Sequence, residues 1–279
     1  MTHPINIIVA TNFSETANNA VTYAAGLAKA AGAKLILFNS FSLSIHSANA
    51  QISAESMQKQ IDKNTERLKV LGNDLSKLFA IEVTTYCSFS FVEDYLKEII
   101  DKTNAELIIM GMAERSLEQD LIGNTTTSVI KNLQIPVLAV PKNARFQNAK
   151  KILYACDTLS LTTIKKFSGL YKLVGSLDIE IELFSVEEKL STLKEEQSEK
   201  LLKSIANEDL QEIKYVYKSV RSNTVIDEIH KEIKSYGADI LVMVPQKYGF
   251  WDSLVHKSKT RIMAAGLEIP LLSYPASQK

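Results

Sequence analysis

The residues whose types and spacing suit phosphate chemistry lie in one stretch, 105–141, AELIIMGMAERSLEQDLIGNTTTSVIKNLQIPVLAVP. Gly111 ends an apolar run, Leu107-Ile108-Ile109-Met110, and a residue without a Cβ there lets a phosphate approach the backbone. Gly123 precedes Asn124 and Thr125 at the start of an amphipathic segment, where the first turn of a helix offers unpaired N–H groups and the positive end of its dipole. Between the glycines stand Glu114, Glu118 and Asp120, the candidates for holding a metal ion and positioning a water in phosphoryl transfer. The plainer readings of the same residues are turn-forming glycines and solvated loop charges.

Other chemistries have no motif to carry them. GxxxxGK(S/T), GxSxG and HExxH do not occur, and no GxGxxG follows the first strand. His3, His46, His230 and His256 lack a spacing for shared metal ligation and read as exposed or locally bonded. Cys87 and Cys156 form no CxxC and read as small buried residues at strand ends, in keeping with a reducing cytoplasm. Lys plus Arg number 32 and Asp plus Glu 32, so no overall basic field points to nucleic acid or an anionic membrane. No apolar run approaches the roughly 18 residues of a membrane span. The opening MTHPINIIVA has no basic region ahead of a long apolar core, so no signal peptide is expected and a cytoplasmic location is.

The elements that must position these residues follow from periodicity. Residues 5–10 form an apolar strand, and Ser14 is placed to cap a helix with a small-residue face of Ala17, Val21, Ala24, Ala25 and Ala28, closed by Gly32. Residues 34–41 form a strand apolar enough to be buried on both faces. Residues 51–79 form a long helix with Ile61, Leu68, Leu71, Leu75 and Leu78 inward. Residues 81–87 alternate as a strand, and Ser90-x-x-Glu93 reads as a capping box for the next helix. With the stretch 105–141 the order is βαβαβαβαβ, which requires a parallel sheet covered on both faces.

The second half repeats that order. Ile152 to Asp157 matches Ile7 to Asn12, Ala238 to Met243 matches Ala105 to Met110, and Glu268-Ile269-Pro270 matches Gln134-Ile135-Pro136. Three matches in register indicate a tandem duplication, with domains at 1–143 and 149–279 and a linker at 142–149. The fold class is therefore α/β, two tandem doubly wound five-stranded parallel sheets. With strand order 3-2-1-4-5, the ligand crevice lies between the first and fourth strands of each sheet, at the loops 11–14 and 111–123 of the first half.

The stretches IIVATNFSETANNAV, IIMGMAERSLEQDLIGNTTTSVI and IPVLAVP resemble the universal stress protein family in its two-domain tandem form. The resemblance implies an adenine nucleotide alpha hydrolase-like fold. It also implies an ATP site in some members, built on Gly-x-x-Gly-x9-Gly-Ser/Thr after strand four, an acid after strand one, and the backbone at the end of strand two. Carried over residue by residue, those contacts fall on Ala10, Thr11, Asn12, Asn39, Gly111, Gly123, Asn124 and Thr125. This chain departs from the pattern. Glu114 replaces the middle glycine, the loop is shorter by one residue, and Asn12 replaces the acid. In the second half Asp157 keeps the acid position, but Val244-Pro245-Gln246-Lys247-Tyr248 has no glycine, and His256-Lys257-Ser258 begins the helix. Tyr248, Phe250 and Trp251 read there as a packing patch.

The expectation is a non-catalytic cytoplasmic stress-response protein that acts through an unidentified protein partner, with at most weak nucleotide binding and no part for nucleic acid or membrane. The alternatives are a regulatory protein that binds ATP, an adenine nucleotide, in its first domain, and, behind both, slow ATP hydrolysis. The resemblance further implies that the fifth strands, near 137–140 and 271–274, pair within one chain as a pseudo-dimer, with a homodimer still possible.

Overall fold

The computed structural model describes residues 4–41, 53–112, 124–147, 149–156, 179–187, 214–222, 224–243 and 267–275. By internal contacts the chain divides into two units, Met1–Phe146 and Gln147–Lys279.

In the first unit, β1 (Asn6–Ala10) lies at the centre of a parallel sheet with β2 (Lys34–Phe41), β3 (Val83–Phe89), β4 (Leu107–Met112) and β5 (Val137–Pro141), in the order β3-β2-β1-β4-β5. Ile8 pairs with Ile36 on one side and Ile108 on the other. Central strands of this kind are buried on both faces, so Ile8, Val9, Leu35, Leu37, Ile108 and Ile109 are all fully covered. One cover is α3 (Val92–Thr103) and α4 (Asn124–Asn132), whose Leu96, Ile99 and Val129 share a core with Ile8, Ile36, Phe38 and Ile108. The helices α1 (Glu15–Ala31) and α2 (Ala54–Phe79) cover the other face.

Helix α1 is built as the small-residue pattern predicts. Ser14 caps it, its Oγ accepting from the Ala17 N–H at 3.3 Å. Gly32 ends it in the left-handed region at φ 63°, a conformation a glycine adopts without strain. Ala17, Ala20, Ala24, Ala25 and Ala28 are buried and let the helix lie close to the sheet.

Two local expectations are corrected. The inward stripe of α2 is Asn64, Leu68, Gly72 and Leu75, while Leu78 is 75% exposed. Leu78 lies ten residues past Leu68, a rotation of about 1,000° that leaves it about 80° from that residue and outside the stripe. The described helix begins after Ser53, whose Oγ accepts from the Ser56 N–H at 3.2 Å. Ser90 does not cap α3 either. Phe91 holds the N-cap position without a side-chain bond, and Ser90 is drawn to β2, where the Ser40 hydroxyl donates to its carbonyl at 2.5 Å.

Part of the expected linker packs on the first unit. Asn19 Nδ2 donates to the carbonyls of Pro141 and Ala144 at 2.8 and 2.9 Å, and Arg145 bonds Asn19 Oδ1. The Phe146 ring meets Tyr23 edge-on at 5.4 Å.

The second unit repeats the topology. Strands β6 (Lys151–Cys156), β7 (Glu180–Glu187), β8 (Lys214–Arg221), β9 (Ile240–Met243) and β10 (Leu271–Ser273) run parallel in the order β8-β7-β6-β9-β10, which is again 3-2-1-4-5. Helix α5 (Val225–Tyr236) packs on β6 and β7. There Glu232 accepts from Lys218 Nζ at 2.5 Å, and Glu182 is buried beside them. Glu182 Oε1 has no hydrogen-bond partner; burial first, and the Glu232 carboxylate second, push its acid up from the ordinary range. Among the described residues no helix is long and apolar enough to cross a membrane.

Candidate functional site

The carboxyl ends of β1 and β4 open on a cavity of about 380 Å³. Ala10, Thr11 and Asn12 line it from β1 and the turn that follows, Gly111 from β4, and Thr125 from the first turn of α4. Five of the eight positions carried over from the family pattern thus meet at one crevice. Asn124 opens α4, with its side chain outside the described residues, as is all of Gly123.

Asn39 is placed differently from the other five. Strand alternation turns Phe38 and Ser40 to the cavity and Asn39 to the opposite face, where it is 3% exposed. Its Nδ2 donates to the Thr11 carbonyl at 2.7 Å and its Oδ1 accepts from Asn64 Nδ2 at 3.1 Å. It is a strut behind the crevice rather than part of its lining. The Cys87 thiol reaches the same Oδ1 at 3.7 Å, and burial pushes that thiol up, against a smaller lowering by Thr65.

The turn after β1 is held by its own side chains. The Thr11 N–H donates to the Phe38 carbonyl at 2.8 Å, and Thr11 Oγ1 accepts from the Phe13 N–H at 2.9 Å. Asn12 Oδ1 accepts from the Ser14 N–H at 3.1 Å, so this residue closes the turn that leads into α1. Phe13 sits at φ 62° with the Arg67 guanidinium 3.9 Å over its ring.

Gly111 has a structural reason of its own. A Cβ there would stand 2.9 Å from the Thr16 carbonyl oxygen and 3.0 Å from its carbon, both backbone atoms of α1. The absent side chain is required by the close approach of a helix. On the other side, Thr126 Oγ1 donates to the Gly111 carbonyl at 3.3 Å.

Sequence reasoning did not single out Thr16, Phe38, Ser40, Val92, Met110 and Thr126, which complete the lining with Ser14 and Ala17. Period-two alternation along β2 marks Phe38 and Ser40 once the crevice is located. Thr16 and Val92 come from the first turns of α1 and α3, a neighbour relation that linear sequence does not display. The lining residues described are all uncharged. Among the described residues no three His, Cys, Asp or Glu side chains gather as a metal site.

Several expected features lie outside the described residues: Glu114, Glu118 and Asp120, then Asp157, the loop 244–248, Phe250, Trp251 and the helix start 256–258. A second, more open groove of about 760 Å³ runs between α1 and α2, past Phe13, Val21, Arg67, Val70 and Leu71.

The universal stress protein family model matches residues 5–141, the span of this sheet and crevice. Through its first half, the chain belongs to that family. Universal stress protein G of Salmonella typhimurium is 25% identical over 132 residues, which cover 45% of this chain and 89% of the relative. Its counterpart in Shigella flexneri is 27% identical over 131 residues, again 45% and 89%. The fold extends over both halves in solved structures. A universal stress protein from Archaeoglobus fulgidus superposes with a TM-score of 0.74 at 14% identity, covering 98% of this chain and 99% of that one. A functionally unknown protein from Pseudomonas aeruginosa gives 0.63 at 16% identity, covering 98% and 93%. The chain is a tandem universal stress protein fold.

Proposed function

We propose that the protein is a non-catalytic, cytoplasmic stress-response protein that acts by contact with another protein, and that its first-half crevice binds adenine nucleotides at most weakly. The observation that carries this reading is the internal use of the groups a nucleotide would need. Asn12 stands where the family's ATP binders have an acid, and its Oδ1 is bonded to the turn. A neutral amide is also a weaker partner for a ribose hydroxyl than a carboxylate, since charge-assisted hydrogen bonds are about twice as strong. Gly111 accommodates Thr16, which gives that glycine a purpose without any phosphate.

The ATP-binding alternative draws on one feature, Thr125 at the first turn of α4 lining the same cavity as Gly111. Hydrolysis would fall to Glu114, Glu118 and Asp120, and an incubation with Mg-ATP tests it. The reading expects no phosphate release above the buffer control. Release that disappears when all three acids are changed to alanine would overturn it in favour of an enzyme.

A further inference from the structure

We propose that the groove between α1 and α2 is a docking site for an amphipathic helix of a partner protein, one that carries an acid at one end of its apolar face and a base about three turns away. This rests on the reading that the protein acts by contact with another protein, and it names the surface and the chemistry of the partner.

The groove is an apolar floor between two unlike charges. Val21 of α1 and Leu71 and Leu75 of α2 line it, and Val70 stands on its rim with 52% of its surface exposed. Along that rim α2 presents Lys63, Arg67, Val70 and Asp74. At about 100° per residue these four fall within about 60° of one another, and Lys63 and Asp74 lie about 16 Å apart. The basic end is doubled. Arg67 stacks on the Phe13 ring at 3.9 Å, which leaves the in-plane N–H groups of its guanidinium for a carboxylate. Glu66, also in the lining, is set about 60° round from Lys63, and two cations against it leave that end net positive. From α1, Asn18 and Thr22 add no charge. Among the described residues neither Lys63 nor Asp74 has an ion-pair partner, whereas Lys59, one turn earlier, is paired with Glu55 at 2.7 Å.

Opposite charges at the two ends select the occupant. An acyl carboxylate would satisfy the Lys63 end and leave its tail against Asp74. A second copy of α2 offers one exposed apolar side chain, Val70, between its own charges, too little to cover the floor. A helix with acids in its first turn and bases in its last is dipolar in the required way, and the same placement stabilises the helix itself. An average helix of about 11–12 residues spans about 16 Å. Its apolar side chains at i, i+3, i+4 and i+7 are the anchors by which such helices enter grooves.

The probe is a fluorescein-labelled peptide of about 16 residues with leucines at that spacing, Glu at one end of the apolar face and Lys about 11 residues on. Its binding to the full-length protein is read by fluorescence anisotropy, beside Val70→Glu and Asp74→Lys variants. Both positions are exposed, and unchanged unfolding midpoints check that the variants fold. The peptide is expected to bind, to lose about tenfold or more with Val70→Glu, and to lose about twofold to fivefold with Asp74→Lys. A second peptide with Glu at both ends is expected to change the other way, gaining by a similar factor with Asp74→Lys. Undiminished binding to the Val70→Glu variant would place the peptide elsewhere and overturn the proposal. Both peptides unmoved by Asp74→Lys would overturn the charge selection. A dimer of the unaltered protein that Val70→Glu dissolves would give the groove to a second copy, and decanoate that displaces the peptide at equal concentration would give it to an acyl carboxylate; either overturns the proposal. No binding of either peptide would remove the docking site and leave contact through another surface standing. That reading falls instead if Mg-ATP is hydrolysed by way of Glu114, Glu118 and Asp120.

Discussion

Changing Gly111 to alanine separates a glycine kept for packing from one kept for a ligand. The added Cβ would stand 2.9 Å from the Thr16 oxygen, 3.0 Å from the Thr16 carbonyl carbon and 3.0 Å from Thr16 Cγ2. The 2.9 Å contact is closer than a Cβ sits to any neighbour and the other two are tight, and two of the three atoms belong to a helix backbone, so no rotamer change relieves them. Either β4 or the first turn of α1 has to move by several tenths of an ångström. Overpacking of this kind costs about 1–3 kcal/mol. For a domain of this size that is roughly 2–12 °C in the unfolding midpoint. The assay is thermal unfolding of the ligand-free protein by calorimetry, with urea denaturation as a second measure. The same movement carries the Ser14 cap and the turn at 11–14, so a loss of ligand affinity is expected to accompany the loss of stability. A variant as stable as the unaltered protein that had lost only ligand binding would refute the packing argument.

Glu182→Gln tests the buried carboxyl of the second unit. Its folded acid is raised above the ordinary 4.5 by burial and by Glu232. The folded chain therefore binds that proton more tightly than the unfolded one, and stability is greatest below the unfolded value and falls as pH rises through the raised folded value. The glutamine variant is expected to remove that fall and to be the more stable protein above the window, as read from urea midpoints taken from pH 4.5 upward; the same slope in both proteins would contradict the assignment. Asn39→Ala removes the donor to the Thr11 carbonyl and the acceptor for Asn64, and is expected to cost about 1–3 kcal/mol in urea unfolding. A change within error would show that the strut behind the crevice is dispensable.

The repeated strand order was legible because buried parallel strands announce themselves as apolar runs, and the pairs Ile7–Leu107 and Ile152–Ile240 are copies of one pattern. Helix ends were less legible. Ser14 caps α1 as its type suggests, but Ser90, an equally good capping residue by type, stands one residue ahead of the N-cap position held by Phe91, and its hydroxyl donates to the Phe91 carbonyl at 3.3 Å. The register of α2 failed at Leu78 because an apolar residue was counted inward without following the turn angle to the end of the helix. At the crevice, β1 and β4 were placed correctly from topology, and Ala10, Thr11, Asn12, Gly111 and Thr125 meet there. What sequence did not disclose is how those residues are already occupied: the reason for Gly111 lies in Thr16, and the partner of Asn39 lies in Asn64, 25 positions away.

The central claim, that nucleotide is at most a weak ligand of this protein, meets its most direct test in the mass of the intact, gently purified protein. Native mass spectrometry is expected to find the full-length chain without retained ATP. One ATP held per chain through purification would contradict the account.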